Sequence, residues 1–407
     1  MPAPIEIWIT SVGVVTGYGV GLEPLCDGLR RGETAGRVPG PHQIAELDIP
    51  LVSSAPATLP CPAGFEGDRK VALLFEAARQ LPDDLGHPQG CGVYLGTGLS
   101  SVTPEELEQD LYPHLQGDTF QRSSLAADLD PHGGAPHRHL PARAAHALAR
   151  SRGLEGPVFT SFSACAAGAQ AIATALQAVR RGEVERAVAG GLDAMAHPLG
   201  MLSFLQLDTL CAQACRPFDL RRDGFMLGEG AAVVLMETAS AAEAAGRRPL
   251  ARLLGAGTSI DAHAVTAPHP DGQGAWLTMR RALADAGLPP EAVDQVNAHG
   301  TGTPVGDRAE SLAIARLLPE HTPVCSIKGA VGHTIAAAGA VELAATIGAM
   351  GAGFSPGTVN CERPDPACPV NVQLQAQPGS PGVVLSNSMG FGGQNASLVI
   401  AHPDWQA

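Results

Sequence analysis

The chain is predicted to be an α/β protein, and three observations predict it. Short β-rich runs alternate with Ala-rich helical runs along the whole sequence. Forty-nine glycines and thirty-four prolines punctuate that alternation. At 407 residues, 45% hydrophobic and 16% charged, the chain is long enough to bury a large core and more than one structural unit.

Six runs read as strands: Cys91–Gly96, Ala187–Gly191, Ala232–Glu237, Gln295–Ala298, Val383–Asn387 and Ala396–Ala401. Helical patterns cover Arg69–Arg79, Pro104–Tyr112, Leu140–Arg152, Ala166–Arg181, Gly274–Ala286, Asp307–Leu317 and Ala337–Met350. Thr103 and Pro104 make an N-cap followed by proline at the first helical position, and Gly182 and Gly287 are placed as C-caps. The stretch Ala239–Pro249 separates a strand from a new β-rich run and is read as the boundary between two halves, residues 1–250 and 251–407. Glycine-flanked strands recur on both sides of it, a faint internal echo.

Bulk properties exclude several classes. The formal charge of −14 argues against a nucleic-acid partner, because phosphate binding needs an excess of Lys and Arg. No apolar run reaches the ~18 residues of a membrane span, and the opening MPAPIEIWITSVGVVTG reads as strand and turn, not as a secretory signal. Nine cysteines, at 26, 61, 91, 165, 211, 215, 325, 361 and 368, form no CxxC pair. They suit buried thiols in a reducing compartment, so a cytoplasmic protein is expected.

Four segments can carry chemistry. In SFSACAAGAQAIATALQ, Cys165 precedes a long helix of small residues, where the helix dipole and unpaired N–H groups favour thiolate. An ordinary buried thiol is the alternative, but Ala166 and Ala167 leave space above the sulfur and Gly168 permits tight packing. In NAHGTGTPVGDRAE, His299 ends a strand, the place where α/β proteins keep their chemistry. In CSIKGAVGHTIAAAGAVELA, Lys328 and His333 precede another Ala-rich helix. In SNSMGFGGQNASLVI, Gly390, Gly392 and Gly393 surround Phe391, a tight turn that can also present backbone N–H groups to an oxyanion. A surface lysine, a capping histidine and a plain turn are respectable readings of each segment alone. Their co-occurrence in one chain weighs against them.

Taken in order, ITSVGVVTGYG, SACAAG, CRPFDLRRDGFMLGEGA, NAHGTGTPVGDRAE, SIKGAVGHTIAAAGAVE and SNSMGFGGQNASLVI resemble the decarboxylating β-ketoacyl-acyl-carrier-protein synthases, elongating type, of the thiolase superfamily. The resemblance covers nearly the whole chain. It implies a thiolase-like five-layer αβαβα fold of two pseudo-equivalent halves, assembled as a dimer with itself or with a ketosynthase-like subunit.

It also implies a mechanism. Cys165 takes an acyl chain from the phosphopantetheine thioester of an acyl carrier protein, and His299 and His333 assist decarboxylation of a malonyl-carrier thioester. Lys328 and Glu310 match an orienting charged pair, with Asp307 nearby. The N–H groups of Cys165 and Phe391 match an oxyanion hole, and Phe391 matches a gating aromatic. Thr301 and Thr303 match threonines that contact the phosphopantetheine arm. Arg69 and Lys70 correspond to a basic segment near the carrier-docking surface, with a solvated helix start as the equal alternative. No metal or bound organic cofactor is implied.

Three departures bear on the substrate. Ala166-Ala167 follows the nucleophile in place of a Ser- or Thr-containing pair, SFLQLDTLCAQACRPFD is short, and GTGLSS replaces a glycine-richer loop. Fatty-acid, aryl-polyene and type II polyketide synthesis therefore all stay open. The rivals are a chain-length-factor-like partner without its nucleophile, and a thiolase or CoA-primed initiating synthase. His137 and His139 lack acidic or cysteine companions and read as a surface loop, and Glu105–Asp110 as a solvated helix face.

Overall fold

A computed structural model describes residues 5–37, 51–98, 112–128 and 140–406. The first half contains β1 (Ile7–Thr16), α1 (Arg69–Ala78), β2 (Cys91–Thr97), α2 (Arg143–Ser151), β3 (Val158–Ser161), α3 (Ala167–Arg180), β4 (Arg186–Ala194) and β5 (Leu227–Thr238). The second half contains β6 (Ala251–Ile260), α4 (Gln273–Ala286), β7 (Gln295–Asn297), α5 (Pro304–Leu317), β8 (Pro323–Cys325), α6 (Ala338–Gly351), β9 (Val383–Gly390) and β10 (Gln394–Ala401).

The two halves share one topology. The spatial order is β3-β2-β4-β5-β1 in the first and β8-β7-β9-β10-β6 in the second. In each, the first three strands of that order run parallel and the last two pairings are antiparallel. The echo that is faint in sequence is plain in strand order. β1 also pairs with β6, at Trp8 with Arg252 and Ile9 with Ala251, so the two half-sheets join edge to edge.

Burial dictates the layers. α6 is buried from Ala338 to Met350, and a helix apolar all round must lie inside the molecule. It packs with α3 in one core that includes Val234 of the first sheet and Val384 and Leu398 of the second. A second core sets Leu73 and Leu74 of α1 and Leu148 of α2 on the outer face of the first sheet. A third sets Met279 of α4 and Ile314 of α5 on the outer face of the second. The order is helices, sheet, helices, sheet, helices, the five layers expected.

Small residues make the central layer possible. A Cβ on Gly96 of β2 would lie 2.2 Å from the carbonyl carbon of Ala167, so α3 sits directly on that strand. Gly182 and Gly287 take positive φ after α3 and α4, as their placement as C-caps requires. The stretch Ala239–Pro249 opens with a short helix, Ala239–Ala244, because the Thr238 side chain accepts from the Ala241 N–H and caps an alanine-rich run. Of the helix expected over Pro104–Tyr112, only Tyr112 is described, and it opens a 3-10 turn. Glu105–Asp110, His137 and His139 lie outside the described residues.

Candidate active site

Two equivalent turns meet at the centre. Ala164–Ala166 is a 3-10 turn leading into α3, and Ile335–Ala337 is a 3-10 turn leading into α6. Each holds a non-glycine residue at positive φ, Ala164 at 47° and Ile335 at 48°. Such backbone is costly for an L-residue, by roughly 1–2 kcal/mol, and persists where the surroundings enforce it. By this correspondence Cys165 and Ala336 occupy matching positions.

The turn before α3 presents Cys165 to a cavity of about 350 Å³, which His299, His333, Thr301, Thr303 and Phe391 also line. The backbone N–H groups of Phe391 and of Cys165 itself lie where they favour the thiolate. Burial, against the expectation from the helix dipole alone, pushes the Cys165 thiol up to about 12, while Lys328 and those two N–H groups pull it down. Cys165 is only 7% exposed, so loss of solvent outweighs the dipole.

His299 follows β7, and His333 precedes the second turn. Their rings lie 5.3 Å apart, nearly perpendicular. The Lys328 ammonium donates to Nδ1 of His299 at 3.3 Å and to its carbonyl oxygen. An ammonium has no acceptor, so Nδ1 of His299 accepts and Nε2 carries the hydrogen. The Ile335 N–H donates to Nδ1 of His333 at 3.3 Å, which fixes the same tautomer there. Burial, with the positive Lys328 nearby, lowers both imidazoles well below the ordinary value of 6.5. Two neutral rings thus each hold an Nε2–H donor.

The charged pair differs from the expected one. Lys328 bonds to the Glu342 carboxylate of α6, not to Glu310. Glu310 instead accepts from the N–H groups of His299, at 2.9 Å, and Gly300, at 2.8 Å, and from the Asn387 amide at 3.1 Å. It anchors the histidine loop through its backbone. Glu310 sits two turns into α5 facing the loop it follows, whereas Glu342 faces Lys328 from α6. Asp307 accepts from the N–H groups of Phe218 and Gly302, and burial pushes it up to about 7.

Thr301 and Thr303 share a hydroxyl–hydroxyl bond of 2.9 Å at the cavity wall. Phe204, Asp208 and Thr209, from the short segment that departs from the common pattern, also line the cavity. Arg69 does not serve as a free docking cation. Its guanidinium is paired with the buried Glu229 at 2.6 Å and donates to the carbonyls of Ala55, Pro56 and Ala57. The Lys70 ammonium lies 3.5 Å from the Gly98 carbonyl. Glu342, Asn387 and Asp193 were not singled out from the sequence. The available signal for Glu342 was one carboxylate in an otherwise apolar helix.

Comparison with known proteins bears on this geometry. Residues 68–242 match the N-terminal domain of beta-ketoacyl synthases and residues 250–362 the C-terminal domain. The chain belongs to the beta-ketoacyl synthase family. It is 40% identical to 3-oxoacyl-acyl-carrier-protein synthase 2 of Mycobacterium tuberculosis over 334 residues, 79% of this chain and 78% of the relative. It is 32% identical to the putative polyketide beta-ketoacyl synthase 1 of Streptomyces halstedii, over 98% of both chains. The solved ishigamide ketosynthase/chain length factor superposes with a TM-score of 0.85 at 30% identity, covering 98% of the synthase and 100% of that chain. The synthase is accordingly an acyltransferase with the thiolase-like fold. No helix among its described residues is long and apolar enough to cross a membrane.

Proposed function

We propose that this synthase joins an acyl group held on Cys165 to a malonyl unit delivered by an acyl carrier protein, with loss of CO2. The observation that carries the reading is one cavity lined by a thiol beside N–H groups that favour its thiolate and by two neutral imidazoles that each present Nε2–H.

The Cys165 sulfur attacks the thioester carbonyl of the acyl phosphopantetheine arm, and the carrier thiolate leaves and takes the cysteine proton. The N–H groups of Cys165 and Phe391 hold the oxyanion of the tetrahedral intermediate. Thr301 and Thr303 line the wall where the arm enters. The malonyl thioester then loses CO2, and the electron pair of the broken bond becomes an enolate. Its oxygen is received by the Nε2–H groups of His299 and His333, whose stabilisation is largest once the charge has formed. The carbanion attacks the acyl carbonyl, the C–C bond forms, and the Cys165 thiolate departs and is reprotonated.

Lys328 acts by position. Its contacts to the His299 ring, the His299 carbonyl and Glu342 occupy its three N–H bonds. The retained cysteine, histidines and lysine favour a catalytic subunit over a chain-length-factor-like partner. The shared strand order supports a division into halves at residue 250, with the nucleophile in 1–250 and both histidines in 251–407. Work in fatty-acid or polyketide synthesis, including aryl-polyene chains, fits a cavity whose wall is apolar at Phe204 and Phe225. Assembly as a dimer, with itself or with a ketosynthase-like subunit, and a cytoplasmic setting complete the reading.

The test is intact-mass analysis after incubation with a panel of acyl carrier proteins, then with malonyl carrier protein. An adduct absent in Cys165→Ala and discharged as a β-ketoacyl product is expected. Absence of any Cys165 adduct across the panel overturns the reading.

A further inference from the structure

Asp193, at the end of β4, is fully buried and lies 143 residues from the segment it holds. Its Oδ2 accepts from the Ala336 N–H at 3.1 Å, and its Oδ1 accepts from its neighbour Ala194 at 2.9 Å. Ala336 is the middle residue of the turn that follows His333. The preceding N–H of that turn, from Ile335, is the one that fixes the His333 tautomer. Two successive N–H groups of one turn are therefore divided between a histidine ring and a carboxylate of the other half. The strained φ of Ile335 is the backbone setting that aims them in these directions.

The carboxylate has little freedom. A Cβ on Gly98 would lie 2.5 Å from Asp193 Oδ2, so the backbone after β2 closes the space on that side. The negative charge of Asp193 also acts unfavourably on a Cys165 thiolate, a sign of its proximity to the nucleophile.

We infer that Asp193 is a positioning residue that sets the His333 imidazole for decarboxylation by holding the Ile335–Ala337 turn across the interface between the halves. This rests on the condensation reading above. A carboxylate offers one oxygen to each N–H, whereas an amide satisfies one and turns a donor toward the other. Because that amide can keep its oxygen on the Ala336 N–H and turn its donor on Ala194, Asp193→Ala, which removes both acceptors, is the variant that releases the turn. Gly98→Ala displaces the carboxylate without altering it and serves as the second variant should the first fail to fold.

Two readouts test the inference. Malonyl decarboxylation should fall about tenfold or more in both variants, as for loss of an aligned oxyanion donor, while acylation of Cys165 falls by no more than about threefold, because its own N–H donors are untouched and loss of the Asp193 charge, where the substitution removes it, favours the thiolate. Nitrogen NMR of histidine-labelled protein should show His333 as the Nε2–H tautomer in the parent and as a mixture in the variants. Equal loss of both partial reactions, unchanged decarboxylation, or an unchanged His333 tautomer overturns the inference. The NMR arm needs no substrate, so it stands even if no Cys165 adduct forms and the condensation reading falls.

Discussion

Lys328 and Glu342 are joined side chain to side chain in the interior, each about 2% exposed or less, and the same ammonium holds both the ring and the carbonyl of His299. The catalytic loop of the second half is thus tied to the central helix α6. Removing one partner of a buried pair leaves an uncompensated charge, which costs about 3–5 kcal/mol. Glu342→Gln should lower stability by about 3 kcal/mol in urea unfolding. It should also reduce decarboxylation more than acylation, and equal effects on both steps would remove Lys328 from its positioning role.

Glu310→Gln is expected to behave differently. The carboxylate receives the N–H groups of His299 and Gly300 with its two oxygens, and the amide loses one of them. The His299 loop should loosen, raising the KM for malonyl carrier protein, while Lys328 keeps Glu342. Combining the Glu310 and Glu342 substitutions in a double-mutant cycle measures whether the two anchors act independently.

Decarboxylation should be insensitive to histidine protonation near neutrality. Both imidazoles are depressed well below 6.5, so lowering the pH from 8 to 6 leaves the Nε2–H donors neutral and in place. With Cys165 blocked by alkylation, any change of rate across that window is expected to have its midpoint near 7, where burial places the Asp307 and Glu342 carboxyls, and not to come from the imidazoles. Nitrogen NMR of the histidines over the same window should show both rings neutral throughout, and a ring that titrates near 6.5 would show exposure to solvent.

Acid stability should depend on Asp219. Burial pushes its carboxyl up, but bonds from the Arg221 side chain and from the N–H groups of Arg363, Arg221 and Glu362 more than reverse this and hold it well below its ordinary 3.8. The unfolded chain therefore takes up the proton first. The stabilisation is present in full above about pH 4 and is lost as pH falls through the folded value. Asp219→Asn should cost about 2 kcal/mol at pH 7, and the gap to the parent should close toward pH 2 in thermal melts.

Gly96→Ala tests the contact between β2 and α3. The added methyl group meets backbone atoms of Ala167 and Gly168 at 2.2–2.4 Å, which no rotamer change relieves. A loss of about 2 kcal/mol or more is expected, together with slower acylation, because the displaced helix carries Cys165 at its start.

Much of this was legible in the sequence because it is local. Cys165 before an Ala-rich helix, His299 at a strand end and the Gly-rich turn at Phe391 each lie within one short segment, and the elements around them fall within a few residues of their expected places. What was not legible depends on packing. Glu310 lies eleven residues after His299 and looked like the partner of Lys328, yet only the facing of α5 and α6 decides which carboxylate the ammonium meets. The raised Cys165 thiol has the same origin, since a helix dipole can be read from a sequence but solvent exclusion cannot. Arg69 sits in a basic segment, and its capture by Glu229 joins residues 160 apart.

The reacting groups are contributed by both halves, and the helices between them are packed through glycine and alanine at contact distance. Heat inactivation should consequently follow a single cooperative melt, with catalytic loss and loss of tertiary structure superimposing at every temperature. Fragments cut between the halves would have to re-associate before any turnover returned, so recovered activity would depend on fragment concentration.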